Sequence, residues 1–216
     1  MPGRIVCAVV ALVAGMGPSR AAEPVIRPRM GQMPAARLGR EPPSSRELVD
    51  AREALEHRFG TMLSNADTAA GAAAATAALL DASAAEEDRA LQWLLLAEAR
   101  RLASTTGDAV AIDRSIRLAE AAFEFDAVAE EHRLLREIPL RALSRPRAAG
   151  LAQVAEALAE RAEADGRRDV AADSWALAVR GWQRAGDRMA ARRAETSLAR
   201  VERARPTSGL RYEAGP

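Results

Sequence analysis

The 216-residue sequence predicts an all-α protein: an antiparallel stack of helix hairpins, about seven or eight helices in all. Three observations predict it. Apolar residues recur at helical spacing through most of the chain, and short Gly-Asp or Asp-Gly pairs separate the stripes. Alanine supplies much of the apolar surface while aromatics make up only 3%, which favours closely packed helices over sheets. The clearest hairpin runs from Leu91 to Asp126. On its first helix Leu91, Leu94, Leu95 and Leu102 share a face that Glu98 interrupts; on its second, Ile112, Ile116, Ala119 and Phe123 do. Gly107 and Asp108 between them provide a left-handed C-cap and a carboxylate for the next helix's free amides.

From the start of the chain, Met1 to Ala22 reads as a signal peptide: Arg4, then an apolar run from Ile5 to Gly15, then the small-x-small site Ser19-Arg20-Ala21. The run is shorter than the ~20 residues a membrane span needs, so cleavage near Ala21 or Ala22 and a periplasmic or secreted protein are expected. The single cysteine, Cys7, lies in this leader, so the mature chain is expected to carry no disulfide and no thiolate. Residues 23–43 are interrupted by Pro24, Pro28, Pro34, Pro42 and Pro43 and form a disordered Pro-rich linker. The helical-repeat domain spans 44–204, and 205–216 is a flexible tail holding the only tyrosine, Tyr212.

Within the domain, Ser44-Ser45-Arg46-Glu47 is a capping box that opens a helix with Leu48, Ala51, Leu55, Phe59 and Met62 on one face. Asn65 to Asp67 breaks it, and an alanine-rich helix follows from Thr68 to Leu80. Ser83-Ala84-Ala85-Glu86 reads as a second capping box, opening the helix that holds Trp93. After the central hairpin, Val128, Leu135, Ile138 and Ala142 form a face that Pro139 must kink or end, with a bend near Glu137. A helix then starts at Ser144-Arg145-Pro146 and carries Leu151, Val154, Ala155, Leu158 and Ala162 to Asp165-Gly166. Its partner carries Ala171, Ser174, Trp175, Ala178 and Trp182 to Gly186-Asp187, and a last helix runs to about Arg203.

The charges exclude some functions. All 31 basic residues are arginine and they face 30 acidic ones, for a net charge of +1, so no segregated basic excess points to nucleic acid. The pairs Arg100-Arg101 and Arg192-Arg193 read as exposed faces, with Glu98, Glu195 and Glu202 at pairing distance. His57 and His132 have no ligand partner at metal-motif spacing and read as exposed helix residues. The acidic runs Glu86 to Asp88 and Glu130-Glu131 could be read as paired carboxylates for acid–base work, but Glu86 to Asp88 suits a first helical turn, which explains it without catalysis. Phosphate loops, dinucleotide fingerprints and nucleophile elbows are missing from the sequence. No catalytic residue, cofactor or metal is therefore expected. Trp93, Trp175 and Trp182 are the large side chains in an alanine-rich protein, and they read as packing or partner-contact anchors.

Residues Ala155 to Gln183 resemble a tetratricopeptide repeat. Leu158-Ala159 stands at the Leu-Gly pair of its first helix, Gly166 at the turn glycine, and Ala171, Trp175 and Ala178 at the small-aromatic-small series of the second. Ala155, Ala162 and Gln183 depart from that pattern, where an aromatic, a tyrosine and a proline are expected. The run from Trp93 to Asp126, with the helices after it, also resembles an uncharacterised helical region of exported planctomycete proteins, a likeness that implies export and adds no mechanism. Together these readings lead to an expected exported, non-enzymatic module whose helical groove holds a protein or peptide. A homo-oligomerising spacer, self-associating through Ala69–Leu80, is the alternative; an enzyme or metal binder ranks below both.

Overall fold

A computed structural model describes residues 41–204. The signal-peptide and tail readings, and the linker before residue 41, fall outside the described residues. Among the described residues are eight α-helices and no strand. The helices are α1 (Glu47–Ser64), α2 (Ala69–Ala85), α3 (Arg89–Thr106), α4 (Ala109–Ala122), α5 (Ala127–Glu137), α6 (Arg145–Ala164), α7 (Arg168–Ala185) and α8 (Arg188–Arg203). A single 3₁₀ turn, Leu140–Ala142, links α5 to α6. Neighbours in sequence pack as neighbours in space: α2 on α3, α3 on α4, α6 on α7 and α7 on α8. α1 lies against α3, and α5 lies across α4 and α6.

Capping residues set the helix boundaries. The Ser44 amide donates to Glu47 Oε2 at 2.8 Å and the Glu47 amide donates back to the Ser44 hydroxyl at 3.5 Å, the reciprocal arrangement a capping box predicts. The second capping box is not one. Ser83 lies inside α2, buried, and its hydroxyl donates to the Leu80 carbonyl at 2.8 Å. With alanines on either side, nothing at Ser83 stops the helix, which continues to Ala85. α3 is capped instead by Asp88, whose carboxylate accepts from the Ala90 and Leu91 amides at 2.8 and 3.0 Å. Asp88→Ala should therefore lower stability by about 1 kcal/mol. Ser83→Ala should change it by less than ~0.5 kcal/mol, because alanine's helix propensity offsets the lost bond. Urea denaturation of both variants checks this, and a larger cost at Ser83 would reverse the assignment.

Pro139 ends α5 at Glu137 and leaves Ile138 extended, as its missing amide requires. The expected face does not survive beyond it, since Ala142 is exposed in the 3₁₀ turn while Ile138 is buried. Two buried clusters result. One joins α1 to α4 through Leu79, Leu80, Leu95, Leu96 and Phe123; the other joins α4 to α8 through Ile112, Leu135, Leu151, Leu158 and both Trp175 and Trp182. Ala111 of α4 and Phe125, both partly buried, pack against both clusters. At the α6–α7 contact, alanines and Gly181 let the two backbones approach closely. A Cβ on Gly181 would lie 2.8 Å from the Cβ of Ala152 and 3.1 Å from the Ala148 carbonyl oxygen.

Candidate functional site

Beside the start of α6 the surface opens into a groove. A hollow of about 350 Å³ is lined by the α1–α2 turn (Ala66 to Ala69), the end of α3, and Pro139, Ala142, Leu143 and Arg147. A second, of about 190 Å³, is bounded by Asp108, Val110, Pro146 and Gly150. Gly107 and Arg147 border both hollows. The local sequence explains this shape. Thr68 caps α2 by accepting from the Gly71 amide at 3.0 Å, and Gly71 lacks the side chain that would strike the Asn65 carbonyl. Gly107 takes a left-handed conformation (φ 67°), so α3 ends and Leu143 packs where a Cβ would have stood. Arg147 reaches across to donate to the Thr106 carbonyl, one of the free acceptors at the end of α3. Among the described residues its other nitrogens have no partner. The floor is mostly alanine, threonine and glycine, and Val110, 55% exposed, stands at the edge.

The strongest buried chemistry lies between α4, α5 and α6. Glu131 is fully buried and accepts from Arg161, which also stands 3.7 Å from Glu120. Desolvation pushes the Glu131 carboxyl up to about 7, although the Arg161 charge pulls it down. Its Oε1 has no hydrogen-bond partner, and neither do Nε and Nη1 of Arg161. The carboxylate is sealed from solvent, so the pair ties α5 to α6 and has no access to a substrate. Sequence reasoning weighed Glu130-Glu131 only as adjacent carboxylates for acid–base work. The partner lies thirty residues away on another helix, and no local spacing signals it.

The tryptophans divide. Trp175 and Trp182 are buried, at 5% and 8% exposure, and their indole N–H groups donate to Glu163 (2.7 Å) and Glu156 (2.8 Å) of α6. Glu163 also accepts from Arg200 of α8 at 2.6 Å; that bond chiefly holds its carboxyl below the usual range. These two rings are placed as packing groups, each with its polar tip satisfied. Trp93 is half-buried and meets Phe123 and Phe125 edge-on, with centroids at 5.0 and 5.8 Å.

Two further expectations need correction. Arg100 is not on an exposed face: it is 6% exposed, its guanidinium lies 5.5 Å from the Trp93 ring, and burial pulls its pKa down. Arg101, one position on and 100° around the helix, does reach solvent and pairs with Glu98. His57 is exposed, but His132 is half-buried. Burial lowers the His132 pKa and Asp173 only partly opposes this, so their 3.6 Å contact is not an ion pair at neutral pH. Among the described residues no three His, Cys, Asp or Glu side chains converge to hold a metal ion, and no helix is long and apolar enough to cross a membrane. Comparison with family models, curated proteins and solved structures gives no match.

Proposed function

We propose that this chain is an exported, non-enzymatic helical-repeat module that mediates protein–protein interaction or assembly in the cell envelope. The groove at Arg147 is its contact surface. The observation that carries this reading is the pair of hollows meeting at Gly107 and Arg147. Together they offer a floor of small side chains for an extended segment and a partly free guanidinium for one of its carboxylates. The leader pattern before residue 23 supports export, and the tetratricopeptide-like spacing of Ala155 to Gln183 supports a binding role.

Capture from a native envelope extract tests the reading. Ala69 and Ala142 are exposed and line the groove, so Ala69→Arg and Ala142→Arg block it from outside the core. One protein should be retained by the wild type and lost with both variants, while helix content and Tm stay unchanged. A partner retained equally by all three proteins would contradict the assignment of the groove.

A second reading has its own observation. α2 exposes Ala70, Ala73, Ala74, Ala77 and Ala78, an uncharged strip that would suit self-contact in a spacer domain. Ala72 is itself buried, so Ala77→Arg is the substitution that probes this surface.

A further inference from the structure

We infer that copies of this chain associate head to tail, the outer face of α1 on one copy docking against the outer face of α8 on the next. The two faces are the outer sides of α1 and α8, the first and last helices among the described residues. α1 turns Ala51 and Leu55 inward and packs on α3 and α2; α8 turns Ala190, Ala191, Ala194 and Val201 inward onto α7. Helical geometry then fixes what each presents to solvent.

On α1 the positions opposite Leu55 are Val49, Asp50 and Glu53, all exposed, with Glu56 and His57 beside them and no arginine on the outermost strip. On α8 the positions opposite Ala194 are Arg188, Met189 and Arg192, with Arg203 beyond and Glu195 beside them. Over its length α1 carries four acidic residues (47, 50, 53, 56) and two arginines (52, 58), a net of −2. α8 carries five arginines (188, 192, 193, 200, 203) and two glutamates (195, 202), a net of +3. The side chains of Asp50, Glu53, Arg188 and Arg192 have no hydrogen-bond or ion-pair partner among the described residues, in a protein where most other arginine side chains are engaged.

The apolar surface marks the same faces. Three large hydrophobic residues are exposed among the described residues, and two of them are Val49 (62%) and Met189 (66%). Each stands within its own helix's like-charged strip. A hollow of about 460 Å³ lies beside Arg188 and Arg192, bounded by Gln183, Gly186, Ala191 and one carboxylate, Glu195, and gives the second helix a place to seat. Opposite charge around one apolar residue on each end fits a second copy of this chain better than a partner carrying one sign of charge. The contact is heterologous, so it extends the stack without closing on itself unless the rotation happens to form a ring.

Sedimentation velocity on the full gene product, purified as the cell processes it, tests the inference. The weight-average mass should rise with concentration at ~0.05 M salt, and the apparent affinity should fall at least tenfold by ~0.5 M as screening shortens the reach of the charges. Glu53→Arg alone and Arg192→Glu alone should each be monomeric. An equimolar mixture of those two variants should associate again in alternating order, because native α1 meets native α8 at one contact and reversed α1 meets reversed α8 at the next. The double variant Glu53→Arg/Arg192→Glu should recover association. A wild type that is monomeric at low salt, single variants that associate like the wild type, or an oligomer lost with Ala77→Arg in α2 instead would each overturn it.

Discussion

Replacing Arg161 by methionine is expected to lower stability by about 2–3 kcal/mol at pH 8, shrinking toward roughly 1 kcal/mol at pH 5. Glu131 is fully buried and Arg161 is its only side-chain hydrogen-bond donor among the described residues, so at pH 8 the variant must bury an unpaired carboxylate or bind a proton from dilute solution. At pH 5 the proton is readily available. The wild-type protein already shows the same physics in milder form. Its Glu131 pKa is raised to about 7 in the fold from the ordinary glutamate value of 4.5, so between these values the folded state holds the proton more tightly than the unfolded state. The stabilisation is complete below ~4.5 and is lost as pH rises through about 7. This group alone should make the protein about 2 kcal/mol less stable at pH 8 than at pH 5. His132, whose pKa is depressed, acts in the opposite direction over part of that window, so the difference between wild type and Glu131→Gln isolates the carboxyl. Urea denaturation from pH 5 to pH 8 should show that Glu131→Gln lacks the slope. An unchanged pH profile in Glu131→Gln, or an Arg161→Met cost equal at both ends, would contradict the account of this pair.

Gly181→Val should cost about 3 kcal/mol, the other large effect. The α6–α7 interface is built on small residues, and the nearest atoms to a new Cβ are the Ala152 Cβ and the Ala148 carbonyl oxygen. Neither is the end of a flexible chain that could swing away. A branched side chain would force the helices apart and disturb the packing of Trp182, one residue on, against its Glu156 partner. The lower Tm should come with a changed near-ultraviolet signal from the tryptophans. Gly186→Ala, where nothing lies within 4 Å of a new Cβ, should cost less; its penalty is the positive φ of 89° alone. If the two substitutions cost the same, close approach is not what Gly181 provides.

These two predictions rest on features that the sequence shows unequally. The hairpins were legible because their signals are local. Gly107 and Gly186 end helices in the left-handed conformation, Asp108 and Asp187 cap the helices that follow, and both needs are met within a few residues of chain. Glycine at 181 shows no such signal, since what it accommodates is residue 152 on another helix. The same holds for Glu131 with Arg161, and for the indoles of Trp175 and Trp182 with glutamates on α6. Ser83 misled because a Ser-x-x-Glu pattern stops a helix only where the preceding chain is ready to leave it, and alanine is not. Arg100 and Arg101 looked alike in sequence, yet 100° of rotation sends one beneath Trp93 and the other to solvent. The groove was least legible of all. Thr68, Thr106, Ala142 and Arg147 come from two separate connections, one helix end and one helix start, and only the stacking order brings them together.

Site-specific photo-crosslinking in intact cells tests the proposed role of that groove most directly. A photoreactive residue would replace Ala142 on the groove floor in one strain, and exposed Glu124 between α4 and α5 in another. The account predicts one crosslinked protein from position 142, none from position 124, and loss of the adduct when Ala69→Arg is added. The same crosslinking pattern from both positions, or none from position 142 in cells where the protein is exported and folded, would contradict it.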